Sequence, residues 1–109
     1  MKNYSTTQPI TVKCQVMTTP KISKMCTIRN KLGLHARAAA KFVQTASRFK
    51  CDVRLARNGE ETDGKSILDI LTLACLKGTK VEIRAVGEDA PEAVSALEKL
   101  INDKFGEEQ

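Results

Sequence analysis

The chain has one histidine, His35, set in the run Asn30-Lys31-Leu32-Gly33-Leu34-His35-Ala36-Arg37-Ala38-Ala39-Ala40. Gly33 reads as a turn that ends the strand-like Thr27-Ile28-Arg29, and Ala36 to Phe42 is a strong helix-forming stretch. His35 is therefore expected at or just before the first turn of a helix, where backbone N–H groups have no intrahelical acceptor. That environment disfavours positive charge on a ring and favours an anion beside it. Arg37 adds a planar set of donors that suits phosphate oxygens. A histidine of ordinary acidity is largely neutral near pH 7, so its unprotonated nitrogen is a nucleophile without a separate base. Imidazole, guanidinium and the N–H groups of Ala36 and Arg37 together could accept and hold a phosphoryl group. A solvated or capping histidine beside a surface arginine is the plainer reading of the same residues.

A second stretch, Asp63-Gly64-Lys65-Ser66, opens a shorter helix with Ser66 as its N-cap. Gly64-Lys65-Ser66 imitates the end of a nucleotide-binding G-x-x-x-x-G-K-[ST] loop. The upstream glycine, Gly59, belongs instead to an Asn58-Gly59 hairpin turn, so no ATP site is expected. Phosphate on Ser66 would be tolerated at a helix N-terminus and would add negative charge to the surface beside it. Ile67, Leu68, Leu71 and Leu76 are more apolar side chains than a small core can hide. Those left exposed, with Phe42 or neighbouring helix residues, are expected to dock a partner.

The elements that must position these residues follow from periodicity. Met25 to Arg29 reads as a strand, and a helix then runs from Ala36 to about Arg48 with Ala39, Phe42, Val43 and Ala46 on one face. Cys51 to Ala56 alternates as a half-buried strand with Arg54 outward, and Glu60 to Thr62 returns beside it. After the Ser66 helix, Gly78 is expected to terminate the segment in a left-handed conformation. Lys80 to Ala85 alternates again, and the last helix starts with Asp89 as cap and Pro91 in its first turn. Phe105-Gly106 close that helix. The order βαββαβα, strands on one side and helices on the other, gives an α+β two-layer fold.

Composition narrows the function. At 109 residues there is room for one small domain and a tail. The net charge of +5 owes most to Lys2, Lys13, Lys21 and Lys24, because residues 1–24 contain no acid and the remaining body is close to neutral. With no Trp and one Tyr the chain lacks the aromatic platforms of a nucleic-acid surface. Cys14, Cys26, Cys51 and Cys75 stand singly, without zinc-ligand spacing, so no metal is expected and Cys51 and Cys75 are assigned to the core. No apolar run reaches the roughly 18 residues of a membrane span, and no signal peptide is apparent, which points to the cytoplasm and not to a membrane. Residues 1–24 are expected to form a mobile N-terminal extension, with Met17 and Met25 as alternative initiators and a start-site or cloning origin open. Residues 25–109 then form the domain.

The run Gly33-Leu34-His35-Ala36-Arg37-Ala38-Ala39 resembles the active-site signature of the HPr family, the histidine phosphocarriers of the bacterial phosphoenolpyruvate-dependent phosphotransferase system. Asp63-Gly64-Lys65-Ser66-Ile67 resembles that family's regulatory-serine segment, at the family's separation from the histidine. The similarity extends from about Met25 to about Gly106, with Ala38 where the family usually has proline. The resemblance implies an open-faced β-sandwich: a four-stranded antiparallel sheet covered by three helices. It implies a carrier, more than a stand-alone enzyme, that takes a phosphoryl group on His35 Nδ1 from phospho-Enzyme I. The carrier passes the group to an EIIA-type protein, with Arg37 neutralising its charge and no cofactor. It further implies phosphorylation of Ser66 by an HPr kinase/phosphorylase, docking through Ile67, Leu68 and Leu71, and a monomer. Asn30-Lys31-Leu32-Gly33 is closer to the nitrogen-related branch than to the sugar-transport branch, and both outputs stay open. A regulatory binding protein acting mainly through phospho-Ser66 is the alternative.

Overall fold

The computed structural model of the chain describes residues 19–107. In chain order these form β1 (Lys21–Thr27), α1 (Ala36–Ala46), β2 (Asp52–Arg57), β3 (Glu60–Asp63), α2 (Ile67–Thr72), β4 (Lys80–Val86) and α3 (Ala90–Asn102). A tight turn at Lys104–Gly106 follows. The strands make one antiparallel sheet in the order β1-β4-β2-β3. All three helices cover one face of it, so the architecture is the two-layer α+β open-faced sandwich.

The alternation of β4 explains the layering. Val81, Ile83 and Ala85 are fully buried beneath the helices, whereas Glu82 and Arg84 point to the open face. There Arg84 pairs with Glu61 and Glu82, and Arg54 with Asp52. β2 contributes Val53 and Leu55 to the same core, and α3 contributes Ala93, Val94, Leu97 and Ile101. α1 brings Ala38, Ala39, Phe42 and Ala46, and its small side chains let the helix approach closely around the Phe42 ring. Cys26, Cys51 and Cys75 are buried free thiols. Asn58 and Gly59 both take positive φ, 51° and 83°, in the two-residue β2–β3 hairpin that this dipeptide encodes.

Several expectations need correction. β1 begins at Lys21, not Met25, and residues 21–24 pair with Ile83 to Val86. Lys24 occupies an inward-parity position between Ile22 and Cys26 and breaks the apolar alternation, and its ammonium reaches Glu98 of α3 at 3.6 Å. The extension expected for residues 1–24 otherwise falls, for residues 1–18, outside the described residues, as does Cys14. α2 stops at Thr72, because Ala74 already takes a left-handed φ of 52°, and Gly78 instead turns the chain into β4 with its N–H on the Ile28 carbonyl at 2.8 Å. Phe42 is completely buried and is unavailable for docking.

Asp89 is at the N-cap position of α3, yet its carboxylate makes no cap bond to that helix. It accepts instead from the backbone N–H groups of Lys50 and Cys51 at 2.8 and 2.9 Å, tying the α1–β2 loop to the start of α3. These bonds, the Lys50 N–H first, hold its acidity below the ordinary 3.8 despite desolvation. A lowered folded-state value means that the contribution is complete above 3.8 and is lost as the pH falls through the folded value. Asp89→Asn is therefore expected to lower the melting temperature by several degrees at neutral pH, with the gap to the parent closing in strong acid. Thermal unfolding followed by circular dichroism across that range measures it.

Candidate phosphoryl-acceptor site

The loop between β1 and α1 carries the site. Asn30 is wholly buried, and its side-chain Nδ2 donates to the Gly33 carbonyl at 2.7 Å while the Gly33 N–H returns to the Asn30 carbonyl at 3.1 Å. Gly33 takes a φ of 71°, and the Leu34 N–H then reaches the Cys75 carbonyl at 2.8 Å. The loop is thus pinned to the segment between α2 and β4. His35 follows as the N-cap of α1, in extended conformation and with no side-chain cap bond. Its ring is free of capping duty. The backbone N–H groups of Ala36 and Arg37 lie in the first turn of α1, where a helix offers them no acceptor.

The ring itself is held from the far end of the chain. His35 Nε2 lies 2.5 Å from Glu107 Oε2, and Asn30 Nδ2 donates to Glu107 Oε1 at 3.0 Å. The approach of Glu107 depends on the turn after α3, where Lys104, Phe105 and Gly106 all take positive φ, at 58°, 56° and 77°. That conformation is costly for Lys and Phe. It is held by complete burial of the Phe105 ring and by Lys41 Nζ, which donates to the Phe105 carbonyl at 2.6 Å. Burial pushes the Glu107 carboxyl up, but the hydrogen bonds from Asn30 and His35, with the charges of His35 and Lys41, outweigh it and hold its acidity below 4.5.

Arg37 is exposed in the first turn of α1 and, among the described residues, makes no ion pair. The structure therefore puts His35, Arg37 and the N–H groups of Ala36 and Arg37 at one helix end. Asn30 and Glu107 complete the setting and were not assigned to it by sequence reasoning. Asn30 had a signal, since a polar residue three before a turn glycine commonly bonds back into its own loop. Glu107, 72 residues from His35, had none.

Ser66 is the N-cap of α2, accepting the Asp69 N–H at 3.3 Å. Beside it Lys65 Nζ donates to the Phe49 and Cys51 carbonyls at 2.7 and 2.8 Å, fixing the entry to the helix. Leu68 is 75% exposed, Leu76 70% and Ile67 39%, whereas Leu71 packs partly against the core. Leu32, in the histidine loop and 64% exposed, adds an apolar side chain not anticipated from sequence. Among the described residues no helix is long and apolar enough to cross a membrane.

The open-faced sandwich thus presents a partly exposed histidine at the start of α1. The model of the PTS HPr component phosphorylation site matches residues 22–103. The phosphocarrier protein HPr of Pseudomonas aeruginosa is 55% identical over 82 residues, which cover 74% of this chain and 91% of the relative. That of Neisseria meningitidis is 52% identical over 80 residues, covering 73% and 90%. The crystal structure of HPr from Thermoanaerobacter tengcongensis superposes with a TM-score of 0.78 at 43% identity, over 81% of this chain and 99% of that one. The chain belongs to the HPr family of phosphocarrier proteins.

Proposed function

We propose that this chain accepts a phosphoryl group on His35 Nδ1 from phospho-Enzyme I and passes it to an EIIA-type protein of the cytoplasmic phosphotransferase system. The observation that carries this is the ring's own geometry: Nε2 is occupied by Glu107, so Nδ1 is the nitrogen left to react. In the forward step the Nδ1 lone pair forms the new N–P bond while the donor's N–P bond breaks and its electron pair returns to the donor imidazole. Arg37 and the N–H groups of Ala36 and Arg37 offset charge on the transferring group. Leu68, Leu76 and Ile67, with Leu32, supply the apolar surface on which partners dock. The test is incubation with phosphoenolpyruvate and Enzyme I, read by intact mass. One added, acid-labile phosphoryl group is the expected result, and an unlabelled chain overturns the reading.

Ser66 is the regulatory site in this scheme. Its Oγ is the cap acceptor, so a phosphate there keeps an anion at the helix start while placing charge beside Ile67 and Leu68. Ser66→Ala is expected to cost about 1 kcal/mol through the lost cap. It should also remove all labelling by an HPr kinase/phosphorylase with ATP. Equal labelling of parent and variant would exclude Ser66 as the modified residue.

A further inference from the structure

The geometry points to Glu107 as a positioning residue for phosphoryl transfer, one that fixes the hydrogen of His35 on Nε2 and stays opposite the ring throughout the reaction. This rests on the reading of His35 as the phosphoryl acceptor. An ionised carboxylate only accepts hydrogen bonds, so the ring nitrogen 2.5 Å from Glu107 Oε2 must carry the hydrogen. In the neutral ring Nδ1 is then left with its lone pair. Asn30 removes the ambiguity at the other oxygen. Its Nδ2 faces two acceptors, the Gly33 carbonyl and Glu107 Oε1, at 2.7 and 3.0 Å. Turning the amide over would set its oxygen against both, so the orientation is fixed by the network. The amide oxygen is buried and has no hydrogen-bond partner among the described residues.

The constraint has a consequence for the proton balance. When Nδ1 takes the phosphoryl group, the hydrogen on Nε2 has no need to leave, and the ring gains the positive charge. Glu107 already faces that charge. When the group passes on, the N–P electron pair returns to Nδ1 and the ring is neutral again with the same hydrogen in the same place. Both directions run without a general base and without proton exchange with solvent. Lys41 supports the arrangement by holding the Phe105 carbonyl, and with it the turn that delivers Glu107, and by its charge near the carboxylate.

His35 is the only histidine, so selectively 15N-histidine-labelled full-length chain gives the signals of one ring. The unphosphorylated parent should show a proton on Nε2, shifted downfield and slow to exchange. Glu107→Ala and Glu107→Gln should lose that protected signal while their amide spectra stay folded. With phosphoenolpyruvate and Enzyme I, both variants should take up phosphoryl groups on the order of 10- to 100-fold more slowly at saturating Enzyme I, with an unchanged KM for it, as expected when a ring-orienting partner is lost. An unaltered Nε2 proton in the variants, or uptake at the parent rate, overturns the inference. A parent that takes up nothing overturns the acceptor reading instead, and the ring spectrum still decides the Glu107 contact.

Discussion

His35→Ala is expected to abolish phosphoryl acceptance from phosphoenolpyruvate through Enzyme I, leaving no mass increase in an assay that labels the parent. The loss should be complete because the chain has no second histidine to take over. The fold should be nearly indifferent to the change. The His35 side chain makes no cap bond to α1, and its ring is 28% exposed, so little apolar burial is lost. Loss of the pairing with Glu107 should cost about 1 kcal/mol or less, which a denaturant titration can bound. Stability and function therefore separate at this residue. A labelled His35→Ala chain would relocate the acceptor, and an unfolded one would contradict the description of α1 as a helix whose start needs no side-chain cap.

The second large effect is at Gly33. A Cβ there would lie 2.4 Å from the Cys75 carbonyl oxygen and 2.9 Å from the Leu76 Cα, both backbone atoms that cannot swing away. The φ of 71° adds the left-handed penalty of a non-glycine residue. Gly33→Ala is expected to destabilise the chain by about 3 kcal/mol. Gly59 provides the comparison, because it has a φ of 83° with nothing within 4 Å of a built Cβ. Gly59→Ala should pay the conformational part alone, about 1 kcal/mol. The difference between the two unfolding midpoints isolates the clash. Function should fall with stability only at Gly33, since the displaced contact is the one that pins the histidine loop to the α2–β4 segment.

What was legible in the sequence is local. Asn58-Gly59 specifies its turn by backbone conformation alone, the Ser66 cap depends on an N–H three residues away, and the alternation of Lys80 to Ala85 needs only one buried face. The helix start at Ala36 is likewise set by the residues around it. The misreadings came where a distant partner overrides local preference. Lys24 shares the parity of Ile22 and Cys26 yet stays exposed, its ammonium reaching Glu98 of α3. Asp89 left its helix unserved because the N–H groups of Lys50 and Cys51 compete for the carboxylate. Ala74 took the left-handed conformation in which a glycine was expected. In the site, His35 and Arg37 were readable because they share one helical turn, but Glu107 was not, because no spacing rule connects residues 72 apart.

The strand order has a consequence in time. The β2–β3 hairpin closes through two residues, but β1 must wait for β4, with Lys21 meeting Val86 and Thr27 meeting Lys80. Pairings of that sequence separation are the slow ones, since the chain loses loop entropy before the contact repays it. A polypeptide emerging from the ribosome thus displays His35 long before Glu107, which pairs with its ring in the finished fold, has been made.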